Sequence, residues 1–342
     1  MQIKTVIKKL SSGYDLTQQE AYDVVAAIAA DELTDVQIAG FQVALKMKGP
    51  TVTEITGLAQ GLRDQCTPIK PKVSGPLLDT CGTGGGQTTF NVSTANSLVA
   101  AGGGIAVAKH GSRSIASHSG SADVLEALGV NIELTPAQSE QLIEKIGIAF
   151  LNAQNFHPVM GRVWGPESQL GIKTIFFTIM GPLISPADAK RHIMGVFKPE
   201  LVELMAEILA KLQFEHALVV HGLDNLDEIS LLGKTSVAEV KDGQVKKYEL
   251  TPEQFGFDRC SIEEVAGGMP DYNAQLVRDI FSGKERGPKR SMVVLNAAGA
   301  LYVGGKAESL EQGVELAQEI IDSGAATRKL DELIEVSNQI GE

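Results

Sequence analysis

The sequence predicts an α/β protein in which a small N-terminal α-helical domain precedes a larger α/β domain with a mostly parallel central sheet. Three observations carry that reading. Residues 2 to about 66 hold helical periodicity punctuated by caps, residues 67–76 form a proline-rich break, and beyond it short β-like runs alternate with helical ones.

In the helical head, Thr17 followed by Glu20 and Thr51 followed by Glu54 have capping-box spacing, while Gly13 and Gly49-Pro50 stop the preceding segments. The stretch TPIKPKVSGP, from Thr67 to Pro76, then reads as an extended linker because proline can neither continue a helix nor donate to a ladder. Candidate strands follow at Pro76 to Thr80, Ile105 to Lys109, Ile148 to Asn152, His192 to Phe197 and His216 to His221. Candidate helices fall at Thr94 to Ala101, Ser121 to Leu128, Pro136 to Ile146 and Pro199 to Leu212. Such alternation implies crossover connections and a parallel sheet covered by helices. Further on, VAEVKDGQVKKYEL alternates with period two about Asp242-Gly243, a hairpin signal. From about Pro288, VVLNAAGALYV and ESLEQGVELAQEIIDSG return to helical periodicity, and no internal repeat of 20 to 50 residues is present.

A chain of 342 residues with 43% apolar and 21% charged content is ordinary globular composition and large enough to bury a sizeable core. The formal net charge of −12 speaks against a sequence-independent nucleic-acid surface, which needs clustered Lys and Arg, so any phosphate site must be local. Cys66, Cys81 and Cys260 are odd in number and lack C-x-x-C spacing, so neither a disulfide framework nor a zinc site is suggested and a reducing cytosol fits. The N-terminus lacks a signal-peptide apolar core and no run of about 20 apolar residues is present. A soluble intracellular protein is expected.

The chemistry concentrates between Asp79 and Leu128, where two loops rich in glycine and hydroxyls bracket one βαβ unit. In the first, CGTGGGQTTFNVST, backbone N–H groups of a glycine turn can point at an anion, and Asn91, Ser93 and Thr94 open a helix whose N-terminus adds partial positive charge. The second, KHGSRSIASHSGSAD, offers Lys109, His110 and Arg113 with the hydroxyls of Ser112, Ser114, Ser117, Ser119 and Ser121. Small donors at that density suit a ribose phosphate or pyrophosphate. Two such loops at the C-terminal ends of neighbouring strands converge on one crevice. After a later strand come Asp224, Asp227 and Glu228; adjacent carboxylates persist more readily where a divalent cation neutralises them, and Mg²⁺ takes one or two carboxylates plus water and phosphate. His157, in NFHPVMGRVWGPE, reads as a capping or packing histidine, the alternative being one that borders a pocket, and Cys81 as a small packed residue rather than a nucleophile.

Taken in order across nearly the whole chain, DTCGTGGG with TFNVST, KHGSRS, SGSADVLEALGV, NFHP, GIKTIFF with GPLISPA, VVHGLDNLDEIS and VVLNAAGAL resemble the anthranilate phosphoribosyltransferase family. The resemblance implies the fold of the nucleoside phosphorylase type II relatives. Residues 1–70 would be the helical domain, through which homodimers form, and 71–342 the phosphoribosyl-binding domain, with part of about 160–190 packing on the helical one. It implies transfer of the phosphoribosyl group of phosphoribosyl pyrophosphate to the amine of anthranilate, in tryptophan synthesis, with Mg²⁺ holding the leaving pyrophosphate. The substrate-binding residues it implies are Gly82, Thr83, Gly84, Gly85, Gly86, Thr89, Asn91, Ser93, Thr94, Lys109, His110, Gly111, Ser112, Arg113, Ser117, Ser121 and Glu167. Ser93, Asp227 and Glu228 would serve the metals, and Lys109, Asp227 and Glu228 would carry catalysis. Such a reaction asks for positioning and charge stabilisation more than for a strong base, because ribose C1 turns oxocarbenium-like as pyrophosphate departs.

The chain departs from the family pattern at three places. GTGGGQTTFN is one residue shorter than the family loop and lacks its aspartate; Ser112 replaces the asparagine of KHGNR that helps bind the aromatic acceptor; and Glu167, in PESQLG, replaces an arginine that pairs with the anthranilate carboxylate. A carboxylate there reverses the local electrostatics, so an arginine restored at 167 is expected to favour anthranilate, unless Arg162 or Lys173 already compensates. The alternatives are the same chemistry on another aromatic or heterocyclic acceptor, a nucleoside phosphorylase of the related fold, and a non-catalytic nucleotide-binding relative. Retention of Lys109, Asp227 and Glu228 speaks against the last.

Overall fold

The computed structural model describes residues 2–86, 89–113, 119–223 and 225–341. Its helical head is α1 (Ile3–Ser11), α2 (Gln18–Ala29), α3 (Asp35–Lys48) and α4 (Val52–Asp64). Both capping boxes read from sequence are formed: Glu20 N donates to Thr17 Oγ1 (3.2 Å) and Thr17 N to Glu20 Oε2 (2.7 Å), and Thr51 with Glu54 repeats the exchange. Thr34 and Gln37 make a third box at the start of α3, with glutamine in place of glutamate, which satisfies the same two orphan donors.

The body alternates as expected: β1 (Leu78–Asp79), α5 (Val92–Gly102), β2 (Val107–Gly111), α6 (Ser121–Leu128), α7 (Pro136–Ile146), β3 (Ile148–Asn152), α8 (Ala153–Phe156), α9 (Pro158–Leu170), β4 (Arg191–Gly195), α10 (Glu200–Lys211) and β5 (His216–Gly222). The hairpin β6 (Thr235–Lys241) and β7 (Gln244–Leu250) turns at Asp242 and Gly243, both with positive φ (51° and 76°), as a two-residue turn matched to strand twist requires. Then come α11 (Ile262–Val265), α12 (Pro270–Phe281), α13 (Pro288–Val303), α14 (Leu310–Asp322) and α15 (Ala325–Gly341). The first strand is shorter than the expected Pro76 to Thr80 because the chain leaves the ladder at once: Cys81 N donates to the Asp79 carboxylate (3.0 Å) and starts the glycine loop.

The strands form one sheet in the order β3-β2-β1-β4-β5-β6-β7, parallel through β5 and antiparallel at β6 and β7. Strand order reverses between β1 and β4, and it is outside the carboxyl ends of strands at such a switch point that open α/β sheets bind ligands.

Alternation along the central strands divides the apolar interior. Ile193, Leu218, Val220 and Val237 join the core packed by α5 and α13, whereas Met194, Ala217, Val219, Ala238 and Val240 face a second core. That second core contains the apolar side of α1 to α4, Val159 and Val163 of α9, Phe176 to Ile184, and the buried side of α10. The helical head therefore has no separate interior. Among the described residues no helix is long and apolar enough to cross a membrane.

Candidate active site

The carboxyl ends of β2, β1, β4 and β5 lie side by side and each delivers part of the site. Asp79, fully buried at the end of β1, accepts from Cys81 N and from His110 N (3.1 Å), which draws the loop after β1 toward the end of β2. The glycine loop then crosses to β4, where Thr83 N donates to Gly195 O (2.9 Å) and Phe197 N donates to Thr83 Oγ1 (3.2 Å). Gly84 and Gly85 have φ of 61° and 90°, values at which a Cβ is strained. Gly86 packs so closely on the loop after β5 that a Cβ would lie 2.7 Å from Asp227 Oδ1 and from Asn225 O.

Beyond it Thr89 donates to Glu228 Oε1 (2.7 Å) and pairs with Ala266 in an isolated antiparallel bridge. Asn91 is the N-cap of α5, yet its side chain does not cap the helix. It donates to Ser119 O (3.1 Å), while its Oδ1 accepts from Asn273 Nδ2 (2.9 Å) and Ser119 Oγ (3.1 Å). Of the first N–H groups of α5, Val92 N donates to Phe90 O (2.6 Å) and Thr94 N to Asn91 O (3.0 Å), so with no side-chain cap it is Ser93 N that stays available to an anion. Thr94, by contrast, is fully buried, and its hydroxyl has no partner among the described residues; α5 turns it inward rather than toward the loop.

Lys109, only 3% exposed, donates to Thr80 Oγ1 (3.3 Å) and Ser93 Oγ (3.4 Å) and to no carboxylate among the described residues. Burial pushes its pKa down, opposed by Cys81 and Asp79. On the far side of the glycine loop stand Asp227 and Glu228. Desolvation raises both carboxyls, the Asp227 charge adds to the rise at Glu228, and the Thr89 hydroxyl opposes it there. The Gly84 N–H bonds the Asp227 carboxylate, and Glu228 Oε2 is enclosed without a partner among the described residues. Ser93, grouped with them by resemblance, touches Lys109 instead.

The second loop is arranged differently from its reading as a row of donors. Arg113 makes a two-point ion pair with Glu126 (2.7 and 3.0 Å) and reaches Asp123 (3.2 Å), so its charge is turned onto α6, where paired carboxylates outcompete water. Ser112 is exposed and donates to Arg113 O (3.2 Å); Ser121 Oγ lies 3.4 Å from Ser112 O, so close under Gly111 that a Cβ there would overlap it. Ser114, Ser117 and Asp224 lie outside the described residues. Cys81 is held at its packing role, its thiol pushed up to about 12 by burial, with Asp79 adding to the rise and Lys109 opposing it.

His110 and His157 form a buried chain with fixed tautomers. His110 Nδ1 donates to Gly181 O (3.0 Å), since a carbonyl can only accept, which leaves Nε2 to accept from His157 Nε2 (3.2 Å). His157 Nδ1 is then a bare acceptor, buried without a partner among the described residues. Burial holds both imidazoles neutral by lowering their pKa, that of His157 well below the ordinary value.

Glu167 is a correction to the sequence reading. Its residue is 2% exposed, Oε1 accepts from Thr174 N (2.6 Å), and Oε2 accepts from Thr174 Oγ1 (2.7 Å) and Gln42 Nε2 (3.1 Å). Three donors hold the carboxylate inside the joint between α3 and α9, where it fixes the turn at residues 174–177 rather than presenting charge to a ligand. Arg162 does not compensate for a missing cation, because its guanidinium is tied to Asp31 and to Leu33 O.

Sequence reasoning missed Asp79, Gly195 and Asn273. A lone aspartate ending a strand was a signal for the first; the glycine pair before Asn273 was one for the third, since Gly267 packs on Thr89 O and Phe90 while Asn273 accepts from Gly268 N (2.8 Å).

The pattern of the glycosyl transferase family a/b domain matches residues 74–327, and that of the glycosyl transferase family helical bundle domain matches residues 4–66. The anthranilate phosphoribosyltransferase of Acetivibrio thermocellus is 50% identical over 337 residues, which is 98% of this chain and 97% of that protein. The crystal structure of anthranilate phosphoribosyltransferase from Thermus thermophilus superposes with a TM-score of 0.91 at 42% identity, covering 97% of this chain and 99% of that one. The Saccharomyces cerevisiae enzyme in complex with PRPP and Mg superposes with a TM-score of 0.89 at 27% identity, covering 98% of each chain. With such agreement along its whole length, the chain belongs to the anthranilate phosphoribosyltransferase family of glycosyl transferases.

Proposed function

We propose that the protein is a Mg²⁺-dependent pentosyltransferase that moves the 5-phosphoribosyl group of phosphoribosyl pyrophosphate onto the amine of anthranilate. The observation that carries this reading is the separation of unbalanced charge across one loop. Among the described residues Lys109 is a buried cation that donates only to hydroxyls, and across the glycine loop Asp227 and Glu228 are like charges side by side with an enclosed oxygen that finds no partner there. Each half is costly alone. A pyrophosphate with a divalent cation complements both.

In the transfer the bond from C1 to the pyrophosphate oxygen breaks, the bond from C1 to the amine nitrogen forms, and the one proton the amine loses passes to solvent or the released pyrophosphate. Lys109, the N–H groups of Gly82, Gly85 and Gly86, and Ser93 N at the start of α5 stabilise the charge that develops on the leaving group, with Thr89, Asn91 and Ser93 framing the donor. Asp227 and Glu228 would hold Mg²⁺, whose chemistry is to neutralise the departing pyrophosphate. Neutral His110 and His157, buried and bonded to each other, would back the acceptor side without adding net charge.

Calorimetry with phosphoribosyl pyrophosphate, with and without Mg²⁺, tests the donor half: metal-dependent binding is expected, and none would sink the proposal. Pyrophosphate release with anthranilate tests the acceptor. A second reading, an uncharged aniline as acceptor, is favoured by one observation, the enclosed Glu167 where the family places arginine. Faster turnover of uncharged anilines than of anthranilate would select it.

The proposal extends to a homodimer working in the cytoplasm. Val36 (82% exposed) and Met47 (80%) stand eleven residues apart on α3, hence on one face, and Trp164 and Leu170 on α9 add exposed apolar surface to the same domain. Light scattering should give twice the monomer mass, and Val36→Glu with Met47→Glu should return it to one. Three free cysteines accord with a reducing compartment.

A further inference from the structure

We infer that Asn296, in the NAAG stretch of α13, is a positioning residue for the carboxylate pair, fixing the peptide that directly follows Glu228. The inference rests on the proposed role of Asp227 and Glu228 in holding a metal.

Asn296 is 2% exposed and far along the chain from either carboxylate. Its Oδ1 accepts from Ile229 N (2.9 Å), and its Nδ2 donates to Ile229 O (2.9 Å) and to Met292 O (2.9 Å) in its own helix. The amide orientation follows from the partners, since both carbonyls can only accept and the Ile229 N–H can only donate. One side chain thus satisfies both backbone groups of Ile229, as a neighbouring strand would. Ile229 N belongs to the Glu228–Ile229 peptide, so the bond fixes the plane that begins at Glu228 and with it the direction in which Glu228 leaves the chain.

The glycine three residues on completes the device. A Cβ on Gly299 would stand 2.5 Å from Ile193 Cδ1 and 3.3 Å from Ile229 Cδ1, so Gly299 leaves the space in which the Ile229 side chain lies against α13. Residues three apart share a helix face. Asn296 takes the backbone of Ile229 and Gly299 takes its side chain, which gives the spacing N-A-A-G a physical purpose that a packing helix does not require. Upstream, the bridge between Gly222 and Leu226 closes the other end of the same loop, leaving Asp227 and Glu228 between two fixed points.

The test is calorimetric titration of Mg²⁺ with pyrophosphate into the wild type, Asn296→Ala, the milder Asn296→Ser, and Leu301→Ala as a control that empties a buried position on α13 away from the loop. Both Asn296 variants are expected to bind metal pyrophosphate at least tenfold more weakly, while Leu301→Ala loses thermal stability but keeps the wild-type affinity. In turnover, the Mg²⁺ concentration for half-activation should rise and the KM for the aromatic acceptor should stay within about twofold. Folded Asn296 variants with wild-type metal affinity, or an equal loss in Leu301→Ala, would overturn the inference. Should Asn296→Ala fail to fold, Asn296→Ser decides by the same readings. If the wild type itself takes up no metal pyrophosphate, the proposed function fails rather than the role of Asn296.

Discussion

Gly195, the last residue of β4, lies directly against Asp227: a Cβ on Gly195 would overlap Asp227 O. The contact joins the two sides of the switch point, because Gly195 O also accepts from Thr83 N of the glycine loop. One residue without a side chain thus sets the distance between the loop after β1 and the loop after β5.

Gly195→Ala is therefore expected to push the Asp227 loop outward. Overpacking of this kind costs about 1–3 kcal/mol, but the larger effect falls on the site, and kcat/KM should drop by about 10²-fold or more as a small misplacement of reacting groups can cause. Thermal melting with and without Mg²⁺ and pyrophosphate checks it. The variant should melt somewhat lower and lose most of the ligand-induced rise; a full rise would contradict the argument.

The carboxylate pair makes stability depend on pH in the direction opposite to an ordinary salt-bridged acid. Desolvation raises Asp227 and Glu228 above their ordinary values near 3.8 and 4.5, so through that window the folded state holds more protons than the unfolded. Their contribution is fully present below the unfolded values and is lost as pH rises through the folded ones. Asp227→Asn should flatten this decline and raise the melting temperature of the ligand-free protein at neutral pH while abolishing activity. Melts across pH 4 to 8 decide it, and an unchanged slope would refute the assignment.

Lys109 is expected to trade stability for binding in the same way. Its pKa is lowered by burial, so the folded state holds fewer protons than the unfolded between the lowered value and 10.5, and this contribution grows as pH rises toward that limit. Lys109→Met keeps the stem and removes the charge. The variant should melt higher than wild type without ligand and bind phosphoribosyl pyrophosphate at least 10²-fold more weakly; calorimetry that found undiminished affinity would remove Lys109 from the donor site.

Glu167→Arg should not improve anthranilate turnover. It breaks the bonds from Thr174 N, Thr174 Oγ1 and Gln42 Nε2 and sets a cation in a joint where Lys46 and Lys173 already act on the carboxylate, a change that costs about 3–5 kcal/mol. Denaturant midpoints should show the loss, whereas Glu167→Gln should stay close to wild type. A stable Glu167→Arg protein with raised anthranilate activity would restore the charge-reversal view.

The proposed donor half is legible in the sequence because its chemistry is written in local spacing. Glycines followed by hydroxyls, Lys109 at a strand end, and adjacent acids after another strand each announce a function without reference to the rest of the chain. Glu167 misleads for the complementary reason. Its environment is made by Gln42 and Thr174, and spacing within PESQLG carries no trace of a donor supplied from α3. Arg113 reads as a free cation in the sequence, although Asp123 and Glu126 lie three residues apart on one face of the next helix and are placed to claim it. The brace Asn296 is out of reach of such reading, since an amide's role depends on which backbone groups the fold leaves unpaired beside it.

Because α1 to α4 share an interior with α9, α10 and one face of β4 to β6, the boundary between residues 66 and 74 that divides the two family patterns is not a boundary of stability. Removing the head would bare an apolar sheet face, and the head alone would lack the larger part of what it packs on. The chain should therefore melt in a single calorimetric transition, its calorimetric and van't Hoff enthalpies equal, with no half-folded body left for proteases or for aggregation.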